Sequence, residues 1–94
     1  MIVVWSPRAI DHLAQLREHI GRDDAGAAAR VAASILLSVE LLLRQPGMGR
    51  PGRVAGTREL VVVGTPYLIP HRVRAGRLEL LAVFHGRQKW PARM

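Results

Sequence analysis

The stretch from Ala25 to about Gln45 constrains this chain more than any other. It is built mainly from Ala and Leu, the strongest helix formers. Asp23 and Asp24 stand before it as capping residues. Ala28, Val31, Ala32, Ile35, Leu36, Val39, Leu42 and Leu43 recur at helical spacing and make a wide apolar stripe. Arg30, Ser34, Ser38, Glu40 and Arg44 are its few polar interruptions. A stripe that wide needs cover on more than one side, from a second helix, a sheet or a partner chain. A second helix lies directly upstream. Ser6-Pro7 reads as N-cap and first helical residue. Ala9, Ile10, Leu13, Leu16 and Ile20 then recur with helical period until Gly21, which is expected to end the helix. Two helices joined by a few residues form an antiparallel hairpin.

The rest of the chain follows a different period. Ile2–Trp5 is a short β-branched run and predicts an opening strand. Residues 45–57 hold two Pro and four Gly and predict a loop. Strands are expected at Arg58–Val63, Tyr67–Arg74 and Leu78–His85, separated by Gly64-Thr65-Pro66 and Ala75-Gly76 turns. Pro70 falls inside the middle strand, where it removes a ladder donor, so a bulge or an edge is expected there. The predicted order is β-α-α-β-β-β. That is one α+β domain over residues 1–94, with the helical hairpin packed on one face of a mainly antiparallel sheet.

Charge divides the chain in the same way. Residues 44–94 carry nine Arg and Lys89 against Glu59 and Glu79, a net of +8; residues 1–43 carry four Arg against five carboxylates, a net of −1. The sum is the +7 of the whole chain. Arginines therefore sit where strands begin and end, a surface suited to a polyanion or an acidic protein. The chain has no cysteine, which excludes disulfides, thiolate metal sites and cysteine nucleophiles. No clustered His or carboxylate ligands stand out, so no metal or other cofactor is expected. No uninterrupted apolar run reaches the ~18 residues of a membrane span, and Arg8 and Asp11 break any signal-peptide pattern. A soluble cytoplasmic protein is the expectation, with no membrane partner.

Several short motifs then fall in order along the predicted elements. They are Trp5-Ser6-Pro7-Arg8-Ala9, Pro46-Gly47-Met48-Gly49-Arg50-Pro51, Gly56-Thr57-Arg58-Glu59-Leu60, Thr65-Pro66-Tyr67-Leu68-Ile69, Arg72-Val73 and Val83-Phe84-His85-Gly86-Arg87-Gln88. Together they span essentially the whole chain and resemble the RelE/ParE superfamily of bacterial toxins. The resemblance implies the toxin of a type II toxin–antitoxin module, small and basic, held inactive by a cognate antitoxin. The superfamily has two branches on one fold: RelE-like toxins cut mRNA in the ribosomal A site, and ParE-like toxins poison DNA gyrase. Fold cannot choose between them; site residues must.

RNA cleavage next to a 2′-hydroxyl needs a base, an acid and a cation for the crowded phosphate. His85 could serve as acid or base, Arg87 and Arg58 could hold phosphate, and Tyr67 could stack a base. RelE-like nucleases, however, carry an arginine directly after the position that Tyr67 matches, where this chain has Leu68. Their lysine cluster is missing too, since Lys89 is the only lysine. Arg72 is about 13 Å further along the strand, too far to substitute.

The ParE-like branch needs a binding surface instead, and it is the favoured reading. Arg72, Arg74, Arg77, Arg87, Lys89 and Trp90 are the expected target-binding residues, Arg and Trp being common interface hot spots. A degenerate toxin that survives only as an antitoxin-binding corepressor is the third reading. The apolar stripe at Val31, Ile35, Val39 and Leu42 is the expected antitoxin seat. His12, His19 and His71 are read as surface residues, and either Arg58 or Glu59 is expected to be partly covered.

Overall fold

The computed structural model describes residues 1–88. Its elements run β1 (Ile2–Trp5), α1 (Pro7–Asp23), α2 (Ala25–Arg44), β2 (Arg50–Pro51), β3 (Arg58–Val61), β4 (Tyr67–Arg74), β5 (Arg77–Leu80) and β6 (Phe84–His85). The α+β expectation holds: two helices pack against one mixed, mostly antiparallel sheet. The strand order is β1-β5-β4-β3-β2, with β6 also paired to β4. β1 runs parallel to β5, and every other pairing is antiparallel.

The helices start and stop for local reasons. Ser6 caps α1 by accepting the Ala9 N–H at 3.0 Å, and Pro7 takes the first helical position. The helix does not end at Gly21 but runs two residues further. Asp24 then serves both helices. Its backbone N–H closes α1 on the Ile20 carbonyl at 3.0 Å, and its carboxylate accepts the Ala27 N–H at 2.9 Å to open α2. One residue thus makes the whole hairpin turn. Gly21 serves packing instead: a Cβ there would lie 3.7 Å from the Ala28 side chain, so the helices meet closely at this level.

The core lies between hairpin and sheet. Ala9 and Leu16 of α1 and Ile35, Val39 and Leu42 of α2 meet Val62, Ile69, Leu78, Leu80 and Val83. By length and composition alone α2 could cross a bilayer. Here its Ala28, Ile35, Ser38, Val39 and Leu42 are buried inside the domain. Leu36, Leu37 and Leu41 remain exposed on its outer side.

The sheet departs from the sequence reading at three places. The loop of residues 45–57 contributes a two-residue strand, β2, that pairs with Arg58 and Glu59. The first long strand ends at Val61 rather than Val63. The expected Leu78–His85 strand is split into β5 and β6. The cause is Pro70, which lies in the central strand and is fully buried. His71 pairs with Leu80 on one side of it and Leu68 with Phe84 on the other, so two residues of β4 face three residues, Leu81, Ala82 and Val83. That is one extra residue, a bulge. The Pro70 carbonyl accepts the Leu81 N–H at 2.9 Å, so its missing donor faces the same interrupted stretch.

Candidate functional site

The bulge delivers His85 to the start of β4. His85 pairs with Tyr67, and the two rings meet edge-on with centroids 5.6 Å apart. A tight turn fixes His85: Gln88 Oε1 accepts its N–H at 2.7 Å, and its Nδ1 accepts the Arg87 N–H at 3.2 Å. With Nδ1 used as an acceptor, Nε2 is the ring nitrogen left to donate. Beside the pair is an open hollow of about 390 Å³. Tyr67, Val83, His85 and Gln88 line it from the sheet, and His12, Gln15, Leu16 and His19 line it from α1. Among the described residues no guanidinium or ammonium lines this hollow.

His12 is not a surface residue. It is half-buried, its ring lies 5.0 Å from that of Phe84, and its Nδ1 accepts the Val83 N–H at 3.2 Å. Burial lowers its pKa below the ordinary 6.5, Arg8 lowers it further, and Asp11 opposes both. The neutral form is the one that can accept from Val83. His12 thereby holds the bulge that carries His85. His19 is exposed, as expected.

The four residues expected to cleave RNA are brought together only in part. Tyr67 and His85 are paired, and Arg87 follows in the same turn with its side chain exposed. Arg58 is elsewhere. It pairs with His71, four residues along β4 from Tyr67, about 13 Å away. Its Nη1 donates to the Gly49 carbonyl at 3.2 Å, and it lines a separate hollow of about 230 Å³ with Pro46, Gly47 and Val73. Leu68, where the resemblance to the nuclease branch implies an arginine, is buried.

Of the neighbours Arg58 and Glu59, the covered one is Glu59, at 1% exposure. It does not pair with Arg58. Arg50 reaches Oε1 at 3.2 Å, and the Arg53 N–H donates to Oε2 at 2.7 Å. His71 is also buried, contrary to the sequence reading. Its Nδ1 meets the Ile69 carbonyl at 2.8 Å and its Nε2 the Met48 carbonyl at 3.2 Å. Glu59 and His71 together fix the loop between α2 and β3. Gly49 in that loop has φ +99°, and a Cβ there would stand 2.6 Å from the Glu59 carbonyl oxygen. Only glycine fits.

The arginines expected to meet a target lie around the β4–β5 turn. Arg72 and Glu79 face each other, with Nε 2.6 Å from Oε1, and Arg74 Nε reaches the same oxygen at 3.5 Å. The hydrogen bond from Arg72 lowers the Glu79 pKa; desolvation opposes it, and the charges of Arg74 and Arg72 add to the lowering. Arg77 is exposed and pairs with Arg74 across the turn. The cluster keeps a net positive charge. Lys89 and Trp90 lie outside the described residues.

The expected antitoxin seat needs correction. Ile35 and Leu42 are fully buried, Val39 is 5% exposed, and Val31 is half-buried. They face the protein's own core. The apolar residues that α2 offers outward are Leu36, Leu37 and Leu41.

Known proteins are similar to this chain. The chain is 45% identical over 87 residues to the protein Y4kP of Sinorhizobium fredii, covering 93% of this chain and 90% of that one. It is 36% identical over 83 residues to the toxin RelE2 of Caulobacter vibrioides, covering 88% and 92%. A chain of the chromosomal ParDE toxin–antitoxin system of P. aeruginosa has the same fold, with a TM-score of 0.84 at 24% identity over 90% of this chain and 95% of that one. A family model described as the ParE toxin of the type II toxin–antitoxin system parDE matches residues 3–90, and the chain belongs to that family of toxins.

Proposed function

We propose that this toxin acts in the cytoplasm by binding DNA gyrase rather than by cutting RNA, and that a cognate antitoxin holds it inactive. One observation carries the choice. The Tyr67–His85 hollow has rings and amides but no guanidinium or ammonium among its described lining residues. A phosphoryl-transfer site without a cation lacks its largest source of transition-state stabilisation. Arg58, the expected phosphate ligand, is bonded to the Gly49 carbonyl at the other end of β4. The target surface is the Arg72, Arg74 and Arg77 cluster together with Arg87, Lys89 and Trp90.

The nuclease reading has two supports of its own. Tyr67 and His85 do meet, and the Caulobacter relative bears the RelE name. Induction of the toxin alone separates the readings. A DNA-damage response with intact mRNA is the expected outcome. A-site cleavage that is lost in His85→Ala or Arg87→Ala would replace this proposal with the nuclease. Neither signal would leave a non-toxic corepressor.

The antitoxin completes the proposal. Leu36, Leu37 and Leu41 offer an apolar ridge to an amphipathic helix, and antitoxin carboxylates would neutralise the arginine edge.

A further inference from the structure

Strand pairing sorts the sheet into two faces. Val3, Trp5, Leu60, Ile69, Leu78 and Leu80 turn toward the helices and the core. Their neighbours along each strand turn to the opposite, outer face. The register places Arg50 beside Glu59 there, Arg72 beside Glu79, and Arg74 beside Arg77. Arg53 joins from the loop after β2, with Nε 3.8 Å from Glu59 Oε1. Five arginines thus stand on this face against two carboxylates, a net of +3.

Both carboxylates are already used. Arg50 and Arg53 share Glu59, at 3.2 and 3.8 Å, and Arg72 and Arg74 share Glu79, at 2.6 and 3.5 Å. Each shared carboxylate spaces two guanidinium groups on a rigid sheet and leaves one positive charge over. Arg77 adds a third, with no ion-pair partner among the described residues. It faces Arg74 directly, and like charges so placed destabilise a sheet. An anionic ligand would relieve that repulsion. Arg50, Arg74 and Arg77 are exposed to receive one, and Arg50 lies three strands from Arg77, about 14 Å across the sheet.

The rest of the face selects the kind of anion. Its other residues on β1–β5 are Ile2, Val4, Val61, Leu68 and Pro70, none of them aromatic. Single-stranded nucleic acid is held by stacking its bases on aromatic rings. Protein hot spots join arginine to Trp or Tyr. Neither is offered here. A sheet of five adjacent strands is also too broad to enter a major groove about 12 Å wide. Its arginines would instead meet the two rows of phosphates that border the groove, at a separation close to their own.

We infer that the outer face of the sheet binds duplex DNA through its phosphate backbone, without reading the sequence. Arg77 and Arg74 grip one row of phosphates and Arg50 and Arg53 the other, with Arg72 between them. The inference goes beyond the gyrase reading, and a toxin that bound duplex DNA while leaving gyrase active would satisfy the one and not the other.

Fluorescence anisotropy of a short labelled DNA duplex of arbitrary sequence, titrated with the full toxin freed from its antitoxin, tests it. About three neutralised phosphates give a log–log salt slope of about −2.7 or steeper, so affinity falls at least about 40-fold from about 50 to about 200 mM salt. Arg74→Glu with Arg77→Glu weakens binding at least about tenfold and flattens the slope by about two. If that pair does not fold, Arg77→Glu alone, which breaks no described ion pair, weakens binding at least about threefold. Absent binding at low salt overturns the inference, as does undiminished binding by the folded variant. Equal affinity for the single strand, or for poly-glutamate of matched charge, also overturns it, the latter in favour of an acidic protein. Gyrase is absent from this measurement, so its failure leaves the gyrase reading standing.

Discussion

His12 on α1 accepts a hydrogen bond from the backbone N–H of Val83, 71 residues away, and so ties the helical hairpin to the bulge that carries His85. The bond exists only while the imidazole is neutral. Burial and Arg8 lower the His12 pKa in the folded protein below its ordinary 6.5. The unfolded chain therefore takes up this proton first as pH falls. The stability contributed by His12 is complete above pH 6.5 and is lost as pH drops through the folded-state value. Urea unfolding across pH 8 to about 5 should show this fall. His12→Asn, which keeps an acceptor but does not titrate, should lose that part of the dependence. An identical pH profile in the variant would remove His12 from the account.

Glu59 makes a different demand. Its buried carboxylate receives the Arg53 N–H and the Arg50 guanidinium. Glu59→Gln keeps the shape but removes the charge, and it should cost about 1–3 kcal/mol. Arg50 is half-exposed, so water offsets part of the loss. Chemical denaturation measures the cost, and amide exchange in residues 47–57 should rise selectively.

The two sides of α2 should respond in opposite ways. Ile35→Ala opens the core and should cost about 2–5 kcal/mol of stability. Leu37→Glu, on the exposed side, should change stability by about 0.5 kcal/mol or less while weakening antitoxin binding. Thermal midpoints and a titration against the antitoxin separate the two effects. Full-strength antitoxin binding by Leu37→Glu would place the antitoxin elsewhere.

The β4–β5 turn can be improved. Ala75 has φ +53° and is followed by Gly76 at φ +72°, so two left-handed residues make the hairpin connection. Alanine is strained there, whereas asparagine tolerates the conformation. Ala75→Asn should stabilise the fold by about 1 kcal/mol, read as a rise in the urea midpoint.

Much of this architecture was legible in the chain. The Tyr67–Arg74 strand has the expected bounds, and the predicted consequence of Pro70, a bulge, is found on the facing segment. Both misread histidines carried a usable signal. His12 stands three residues after Ala9 and four before Leu16, on the same buried helical side. His71 stands two residues after the core residue Ile69, on the same face of β4. In both cases polarity points outward and position inward, and position decides. The antitoxin seat was misread for the converse reason. An apolar stripe marks burial without saying what buries it, and Ile35, Val39 and Leu42 are covered by their own domain. The covering of Glu59 by Arg50 and Arg53 depends on a loop fold that local sequence does not dictate.

The target is tested most directly by purified DNA gyrase supercoiling relaxed plasmid, with the toxin freed from its antitoxin. The account predicts loss of supercoiling, with inhibition retained in His85→Ala and lost on charge reversal of Arg74 and Arg77. Unimpaired supercoiling, alongside cleavage of ribosome-bound mRNA that His85→Ala abolishes, would contradict it.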